Sequence, residues 1–539
     1  MSDLEHHLGA IARHSADLAD RLRRVDPAPR IRVFPARSGV LTAEAMSAEE
    51  ALPARLLHSR IDPQREAERL VDSIEPRGFI VCMGLGLGYH VARLLQHDTV
   101  TMVLVVDYDL AMVRALLERW PHDALFRDPR LQLVVDEAPA VLAQTVGSRY
   151  VPIVHGDLRV LSLRGRVDAD PARFSDAAHA VRGTIDAAVG DFSVQQIFGR
   201  RWMRNMVINL VYPGHPALRL PHLDRVVVTA AGPSLDEHLG SLSQPARTDA
   251  VVATDSSLSV LAAAGIRPAM TVAVDAQQIS YLHAMGTFGS CGTLVADLGV
   301  PPAVARRFPD VHWLAGDHPL VALLRSRGVA VPYLKTGDGS VTHTAVRIAR
   351  ALGARQVSVV GADFGYPRAA AYARGCYLPV HAVQHGSRLK PAHSRLYRFV
   401  LDRPGVRSDE GEAGFRYTTP VLQQYRTRLA DALQSDQEPL RNSEAGPSWT
   451  PVHARAVLLA YADQLHAMAA PAEPLWRALS ALNSDEQNLW RTLFPLAAYY
   501  HRSGGSGMPP TDTVNRESLP HPLEQARREA VRMIRQLVE

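Results

Sequence analysis

Short apolar runs alternate with amphipathic stretches along the first third of the chain, and this alternation predicts a doubly wound α/β domain. The predicted strands and helices lie at residues 78–83, 89–96, 101–106, 109–120 and 131–135. Strands that alternate with helices favour a parallel sheet. Ahead of this series, residues 1–25 have the apolar spacing of one helix. The stretch from there to about residue 60 is expected to be irregular.

A second α/β series follows a helical stretch at residues 168–210, and the chain from about residue 452 is mostly helical by spacing. The predicted strands of the second series lie at residues 225–230, 250–253, 270–274, 293–296, 312–314 and 356–360. The expected fold class is α/β, with two successive Rossmann-like doubly wound domains and a helical C-terminal region. The predicted divisions are 1–60 (N-terminal helix and irregular segment), 61–165 (Rossmann-like domain), 166–205 (helical linker), 206–435 (catalytic domain) and 436–539 (helical C-terminal region).

Composition narrows the class of protein. Of the 539 residues, 47% are hydrophobic and the formal net charge is +4, which calls for neither nucleic acid nor a membrane surface. Cys82, Cys291 and Cys376 are far apart, so neither a disulfide framework nor a zinc site is predicted. The sequence shows neither a signal peptide nor a spanning run of about 20 apolar residues. We expect a cytoplasmic protein with no membrane insertion, no nucleic-acid partner and no required metal.

A glycine-rich loop, Gly84-Leu-Gly-Leu-Gly88, connects the first predicted strand to a helix, and Asp107 ends the next strand. Glycines let a backbone approach a ligand, a helix N-terminus favours anions, and an acid in this position can accept a ribose hydroxyl. The spacing is GxGxG, so an S-adenosylmethionine site, a dinucleotide site and an unliganded turn all stay open. The unliganded turn is favoured, because the pattern is short and common.

A more informative loop follows the first strand of the second series and contains Gly232, Pro233 and Ser234. Gly232 removes side-chain bulk where the chain turns, and Pro233 suits the first helical turn because its missing N–H is no loss there. Ser234 offers a hydroxyl and a backbone N–H beside the helix start. The loop is predicted to form an anion cradle for a nucleotide phosphate.

The next two strands each end in an acid. Asp255 and Ser256 follow one strand, and Asp275 and Gln277 follow the other. Ligands of open α/β sheets bind at the carboxyl ends of the strands, so these groups are expected to converge on the crevice beside Gly232. Roles in ribose, base or metal recognition stay open, as does the simpler role of a helix N-cap for either acid.

A third group of candidates lies in residues 336–377. Gly337 and Ser340 belong to a Gly/Ser/Thr loop that could wrap a nucleotide or a sugar, and Asp363 follows the last predicted strand. Tyr366 and Tyr372 could donate hydrogen bonds to a departing phosphate, with Arg374 adding charge nearby. Donors aimed at developing charge lower a transfer barrier effectively.

Taken in order, these motifs resemble those of the motility accessory factor family of flagellin glycosyltransferases. Gly84–His90 resembles the N-terminal domain of that family. The stretch that joins the N-terminal and central domains of the family is similar to Arg201–Asn205 and Asn209. The segments that resemble its central domain, a 6-hydroxymethylpterin diphosphokinase-like (DUF115-type) domain, are Ala231–Asp236, Thr254–Ser257, Asp275–Gln277, Gly361–Phe364, Tyr372–Gly375 and Tyr417–Tyr425.

The resemblance implies a glycosyltransferase that moves pseudaminic or legionaminic acid from a CMP-activated donor to Ser or Thr hydroxyls of flagellin, with no further cofactor. The central domain of the family is similar to bacterial sialyltransferases. By that similarity, the Gly232–Ser234 loop would hold the CMP part, and Tyr366 and Tyr372 would meet the leaving phosphate. Self-association is left open.

The same similarity implies a histidine base downstream of the tyrosines. His381, His385 and His393 follow them in this chain, and His385 and His393 are the candidates for catalysis beside Asp363. One departure concerns the loop after the first strand, where Ala231 stands in a position that is usually Asn in the sialyltransferases. Substrate positioning is therefore expected to differ.

Three other functions stay open. The central domain also resembles an archaeal 6-hydroxymethyl-dihydropterin diphosphokinase, which uses ATP and magnesium, and Asp255, Asp275 and Asp363 would suit metal–phosphate chemistry. An S-adenosylmethionine methyltransferase would use the Gly84–Gly88 loop. A non-catalytic flagellin-binding factor would keep only a relic of the nucleotide pocket.

Overall fold

The structure is a computed structural model. It describes residues 3–28, 31–45, 55–122, 125–212, 223–244, 249–285, 287, 292–334, 339–411, 414–434, 450–470, 472, 474–506 and 521–539. The chain forms two compact units. Unit 1 comprises Met1–Gln195 with Pro471–Leu482, and unit 2 comprises Gln196–Ala470 with Asn483–Glu539.

The N-terminal segment of unit 1 differs from its sequence prediction. Instead of one helix and an irregular stretch, it contains two helices, three antiparallel strands and a further helix. These are α1 (Asp3–Ala12), α2 (Ala16–Arg24), β1 (Ile31–Pro35), β2 (Leu41–Ala45), β3 (Arg55–Leu56) and α3 (Pro63–Asp72). The helix is interrupted at Ser15, whose side chain accepts a hydrogen bond from Leu18 N at 3.2 Å and so starts a new helix.

The central sheet of unit 1 has four parallel strands in the order β6-β5-β4-β7. Its strands and helices are β4 (Gly78–Met83), α4 (Tyr89–Leu95), β5 (Val100–Asp107), α5 (Leu110–Leu117), β6 (Leu131–Val135), α6 (Pro139–Arg149), α7 (Pro152–His155), β7 (Leu158–Ser162) and α8 (Arg164–Val167). Ile80 and Cys82 pack into one apolar core and Phe79 and Val81 into another, so both faces of the sheet are covered. This confirms the Rossmann-like domain. The short edge strand β7 was not predicted.

The helix α9 (Pro171–Leu210) contains the division between the two units and matches the helical stretch predicted at residues 168–210. Its last turns belong to unit 2, where Asn205 and Asn209 are buried. Asn205 Nδ2 donates to the carbonyl of Gly299 at 2.7 Å, and Asn209 Nδ2 donates to that of Leu298 at 2.9 Å. These amides fix the turn that follows the fourth strand of the second sheet.

The sheet of unit 2 has six parallel strands in the order β12-β11-β10-β9-β8-β13. Its strands and helices are β8 (Arg225–Thr229), α10 (Leu235–Leu242), β9 (Ala250–Thr254), α11 (Leu258–Ala263), β10 (Met270–Ala273), α12 (Ser280–His283), β11 (Thr293–Asp297), α13 (Pro302–Ala305), β12 (Asp310–Leu314), α14 (Pro319–Ser326), α15 (Val341–Ala351) and β13 (Gln356–Val360). The second Rossmann-like domain is therefore confirmed. All six predicted strands are present, with bounds that differ by at most two residues.

The order of the strands creates a switch point in this sheet. From β8 the chain proceeds outward strand by strand to β12, and it then returns to the opposite side of β8 as β13. The chain therefore leaves the carboxyl end of β8 toward one side of this strand, and the connection from β12 brings β13 in on the other side. In open parallel sheets, ligands bind in the crevice that such a reversal opens.

The rest of unit 2 is a small antiparallel sheet, in the order β14-β16-β15, and a set of helices. The elements are β14 (Tyr366–Pro367), α16 (Tyr377–Gln384), α17 (Ala392–Leu401), β15 (Arg407–Gly411), β16 (Gly414–Thr418), α18 (Pro420–Gln434), α19 (Pro451–Ala467), α21 (Ser484–Thr492), α22 (Phe494–Ser506) and α23 (Pro522–Val538), while α20 (Leu475–Ser480) belongs to unit 1. The helical C-terminal region is confirmed. Among the described helices, none has the length and apolar character needed to cross a membrane.

Candidate functional site

The loop that follows β8 meets the end of β13 at the switch point. Gly232 N donates to the carbonyl of Gly361 at 2.7 Å. Ser234 donates twice to one oxygen of Asp363, Oδ2, from its backbone N–H at 3.1 Å and from its hydroxyl at 3.0 Å. Asp363 thus lies at the start of α10, where a carboxylate interacts favourably with the partial positive charge of the helix N-terminus.

This arrangement leaves no room for a side chain at position 232. A Cβ atom on Gly232 would lie 2.5 Å from the carbonyl oxygen of Gly361 and 3.0 Å from Cγ of Asp363. The sequence predicts a phosphate at this loop and a catalytic role for Asp363. In the structure, the carboxylate of Asp363 takes the place at the helix start, and Pro233 lies half-buried in the turn between the two contacts.

The ends of β9 and β10 supply a second cluster of polar groups. Asp255 is buried, with 5% of its surface exposed, and its Oδ1 accepts a hydrogen bond from Ser256 N at 2.8 Å. Its other oxygen, Oδ2, lies 3.0 Å from Nδ1 of His283 on α12. The sequence analysis named Asp255 and Ser256 but missed His283. Its position, ten residues after the end of a buried strand at the same sheet edge, was the available signal.

Asp275 follows β10 and lies near the same pair. Its carboxylate accepts hydrogen bonds from Gln277, from the backbone N–H at 2.9 Å and from Nε2 at 3.2 Å. Burial raises the pKa of Asp275, hydrogen bonding to Gln277 opposes this, and the nearby charge of Asp255 raises the pKa further. Gln277 is therefore a positioning partner of Asp275, with its own side chain exposed.

A segment that follows β13 is attached to these loops and carries the tyrosines to them. Ala373 N donates to the carbonyl of Ala231 at 2.9 Å. The thiol of Cys376 lies 3.6 Å from the carbonyl oxygen of Ser256 and 3.8 Å from that of Ala231. The segment therefore spans the loops after β8 and β9.

The aromatic side chains of this segment lie in one cluster. The ring of Tyr372 lies 5.9 Å from that of Tyr377 and 6.1 Å from that of Phe399, and the ring of Tyr366 lies 6.5 Å from that of Phe399. The ring of Tyr377 lies 4.8 Å from that of His283. Burial raises the pKa of both the Tyr372 and the Tyr377 hydroxyls, so each stays protonated at neutral pH and can donate a hydrogen bond.

The predicted histidines lie outside this cluster. His385 and His393 are exposed. The Nδ1 atom of His385 lies 2.9 Å from the carbonyl oxygen of His381, and the rings of these two histidines are 4.1 Å apart. Arg374 pairs with Asp236 at 3.2 Å while 91% of its side chain is exposed.

A cavity of about 730 Å³ separates α16 from α17 and adjoins the tyrosine cluster through Phe399. Its lining is partly apolar and carries an excess of cationic side chains. The charged and imidazole residues among the lining are His381, Lys390, Arg395, Arg398, Asp402 and Arg403. This composition suits an anionic ligand or an acidic peptide.

The last two predicted residues, Ser340 and Gly337, come just before α15 in the chain. Ser340 is the N-cap of α15, since its hydroxyl accepts from Thr342 N at 3.3 Å. Gly337 lies outside the described residues. The helix α15 leads into β13 and so has its N-terminus at the carboxyl edge of the sheet, near the switch point. Among the described residues, no group of three or more His, Cys, Asp or Glu side chains could hold a metal ion.

The glycine-rich loop of unit 1 is filled by the protein itself. Asp107, fully buried, accepts from Leu85 N at 2.7 Å and pairs with Arg166 at 2.8 Å. Leu87 N donates to Nε2 of His58 at 2.8 Å. A Cβ atom at Gly86 would lie 2.7 Å from a methyl group of Leu163. The acid and the backbone N–H groups that would serve a nucleotide are thus engaged in internal contacts, as expected for the unliganded turn.

The fold and the site define a class: a protein of two Rossmann-like units whose second sheet gathers acids, a histidine and tyrosines at its switch point. Residues 200–369 match the model of the family described as 6-hydroxymethylpterin diphosphokinase MptE-like. The chain therefore carries an MptE-like domain. Its fold is similar to that of the MAf glycosyltransferase from Magnetospirillum magneticum AMB-1, with a TM-score of 0.59, 16% sequence identity, and coverage of 99% of this chain and 96% of the other.

Sequence relatives include proteins of Treponema pallidum (strain Nichols) that are named as uncharacterized. One is 30% identical over 148 residues, which is 27% of this chain and 52% of that protein. Another is 29% identical over 142 residues, which is 26% of this chain and 68% of that protein. The chain thus spans about half the length of the first of these relatives. Their names carry no information on activity.

Proposed function

We propose that this protein is a glycosyltransferase that binds a CMP-activated nonulosonic acid, of the pseudaminic or legionaminic type, and transfers the sugar to Ser or Thr hydroxyls of flagellin. The observation that carries the proposal is the convergence at the switch point of unit 2. The loop after β8, the acids after β9 and β10 and the tyrosines after β13 all meet there. The structural neighbour from Magnetospirillum magneticum is named as a glycosyltransferase, which supports the same class of reaction.

In this proposal the donor is already activated, so the site has to position the reactants and stabilise developing charge. Tyr372 and Tyr377 would donate hydrogen bonds to the phosphate of CMP as it leaves. Their raised pKa values keep these donors protonated. The cationic cavity between α16 and α17 would attract an anionic donor or an acidic stretch of the acceptor.

The remaining parts of the proposal follow from the chemistry of such a reaction. No cofactor beyond the donor is required, and neither nucleic acid nor a membrane takes part. We place the reaction in the cytoplasm. Self-association stays open. Ser234, Asp275 and Ser340 would contact the nucleotide, which requires the carboxylate of Asp363 to share the start of α10 with a phosphate or to move away from it.

A second candidate is a diphosphokinase that moves pyrophosphate from ATP to a pterin alcohol, because the family model over residues 200–369 carries that description. Magnesium usually keeps several waters and is bound by one or two carboxylates together with substrate phosphates. Asp255 and Asp275 at neighbouring strand ends could serve in that way. The carboxylate of Asp363 is engaged by Ser234, so it fits such a role less well.

The experiment that separates these candidates is calorimetric titration of the purified chain with CMP, with ATP plus magnesium and with S-adenosylmethionine. It is followed by incubation with flagellin and CMP-pseudaminic or CMP-legionaminic acid and by intact-mass measurement of the flagellin. We expect CMP to bind and the flagellin mass to rise by one or more nonulosonic acid residues. Binding of ATP with magnesium but not of CMP would favour the diphosphokinase. Flagellin binding without any nucleotide binding would favour a non-catalytic factor.

A further inference from the structure

A buried carboxylate and a buried imidazole form a pair at the carboxyl ends of two adjacent strands. Asp255 follows β9 and His283 ends α12, the short helix after β10. Their exposed fractions are 5% and 8%, and Oδ2 of Asp255 lies 3.0 Å from Nδ1 of His283. Because Ser256 N donates to the other oxygen of Asp255, the carboxylate is held from both sides. The pair therefore fixes the orientation of the imidazole ring.

The rest of the imidazole ring faces the aromatic segment. The structure records no hydrogen bond from the described residues to Nε2 of His283, and the ring of Tyr377 lies 4.8 Å away. Tyr377 in turn contacts Tyr372. The imidazole is thus placed between the strand ends and the tyrosines that would meet the leaving phosphate. A carboxylate on Nδ1 that leaves Nε2 available is the arrangement that histidine uses as an acid or base.

The negative charges near His283 favour the protonated form of its imidazole ring. Burial by itself lowers the pKa of His283, but the hydrogen bond to Asp255 and the charges of Asp255 and Asp275 outweigh it and raise the pKa. Such an environment stabilises the imidazolium that forms when histidine accepts a proton. His385 and His393, which the sequence analysis favoured as bases, are exposed and have no carboxylate partner among the residues that the structure describes.

We propose that His283 is the general base of this site and that Asp255 is its positioning residue. The inference rests on the proposed glycosyl transfer. Nε2 of the neutral His283 takes the proton of the acceptor hydroxyl, and the hydroxyl oxygen forms a bond to the anomeric carbon of the donor. The bond from that carbon to the phosphate oxygen breaks, and CMP leaves with the electron pair. The imidazolium, paired with the side chain of Asp255, then releases its proton to water.

The test compares His283→Ala, His283→Gln and Asp255→Asn with wild type and with His238→Ala, a control histidine that is exposed on α10. The assay is transfer from CMP-pseudaminic or CMP-legionaminic acid to flagellin, together with CMP binding by calorimetry. Removal of a general base should lower kcat by about 10²–10⁴-fold while KM for the donor and CMP affinity stay close to wild type. Asp255→Asn should lower kcat in the same way, because an amide favours the wrong tautomer of the ring.

Imidazole added to the His283→Ala reaction provides a readout that a structural role would not move. We expect it to restore part of kcat in this variant and to leave the wild-type and His238→Ala rates unchanged. Full activity of His283→Gln, or a loss of CMP binding that parallels the loss of kcat, would overturn the assignment. Loss of transfer in His393→Ala or His385→Ala with an active His283→Ala would also overturn it. Absence of transfer by the wild-type protein with both donors would count against the proposed function itself.

Discussion

Gly232→Ala tests whether the loop after β8 and the carboxylate of Asp363 form one closely packed unit. The added methyl group would lie 2.5 Å from the carbonyl oxygen of Gly361 and 3.0 Å from Cγ of Asp363. Since the first of these atoms is backbone, no side-chain rotation relieves the contact. Overpacking of this kind costs about 1–3 kcal/mol. Expulsion of the carboxylate would also remove charge-assisted hydrogen bonds from Ser234, each contributing about 1.5–3 kcal/mol. We expect unit 2 to lose at least about 2 kcal/mol of stability.

The matched control is Gly240→Ala within α10, eight residues further along the chain. A Cβ atom at Gly240 would meet nothing within 4 Å. Replacing an exposed glycine inside a helix by alanine stabilises a protein by about 0.5–1 kcal/mol. The two substitutions add the same methyl group, so a loss of stability in Gly232→Ala but not in Gly240→Ala would be due to the packing around Gly232.

The assay is urea unfolding followed by circular dichroism, with calorimetric CMP titration of each folded variant. Gly232→Ala should unfold at lower urea than wild type, and Gly240→Ala at equal or higher urea. The CMP affinity of Gly232→Ala should fall by at least about tenfold, which corresponds to about 1.4 kcal/mol of lost contacts. Equal stability of the two variants would refute the packing argument. Unchanged CMP affinity in a destabilised Gly232→Ala protein would remove the loop from the nucleotide site.

Three further predictions concern charge and pKa. Arg166→Met should destabilise unit 1 by about 3–5 kcal/mol in urea unfolding, because the buried carboxyl of Asp107 would lose the guanidinium that stabilises its charged form. Arg77→Met, at an exposed ion pair, should cost at most about 1 kcal/mol. A small effect of Arg166→Met would contradict the structural role of the loop. His90 is buried and burial lowers its pKa to about 3, so the unfolded chain takes up a proton first as the pH falls below about 6.5. The contribution of His90 to stability is therefore complete above that pH and is lost as the pH falls toward 3, by about 2 kcal/mol at pH 5 from this group alone. The free energy of unfolding should differ less between pH 7.5 and pH 5 in His90→Gln than in wild type. An identical difference in the two proteins would argue against a neutral His90. Burial raises the pKa of Cys376 to about 12, so its thiol should resist iodoacetamide at pH 8 until urea unfolds the chain. Peptide mapping by mass spectrometry distinguishes labelling of Cys376 from labelling of the other cysteines. Rapid labelling of the native protein would show that the segment around Cys376 opens.

Periodicity in the sequence predicted every strand of the two Rossmann-like sheets except β7. A strand buried on both faces needs a continuous apolar run, and Val226–Val228 or Val103–Val106 can form little else. Periodicity failed on β1 to β3 and on β7, which are short or partly exposed and so carry a weak apolar pattern. Position after a strand was enough to name Asp255 and Asp275, since the carboxyl ends of parallel strands share an edge.

Tertiary structure alone decided which of these groups meet. Ser234 and Asp363 are 129 residues apart, and Asp255 and His283 are 28 apart. Local pattern fixes the path of a strand but does not fix its neighbours, so the contact between Ser234 and Asp363 exists because β13 pairs with β8. The same limit applies to Gly84–Gly88. Its spacing is compatible with a ligand and with a closed turn. The contacts that close it come from His58, Asp107 and Arg166, which only the folded unit brings to the loop.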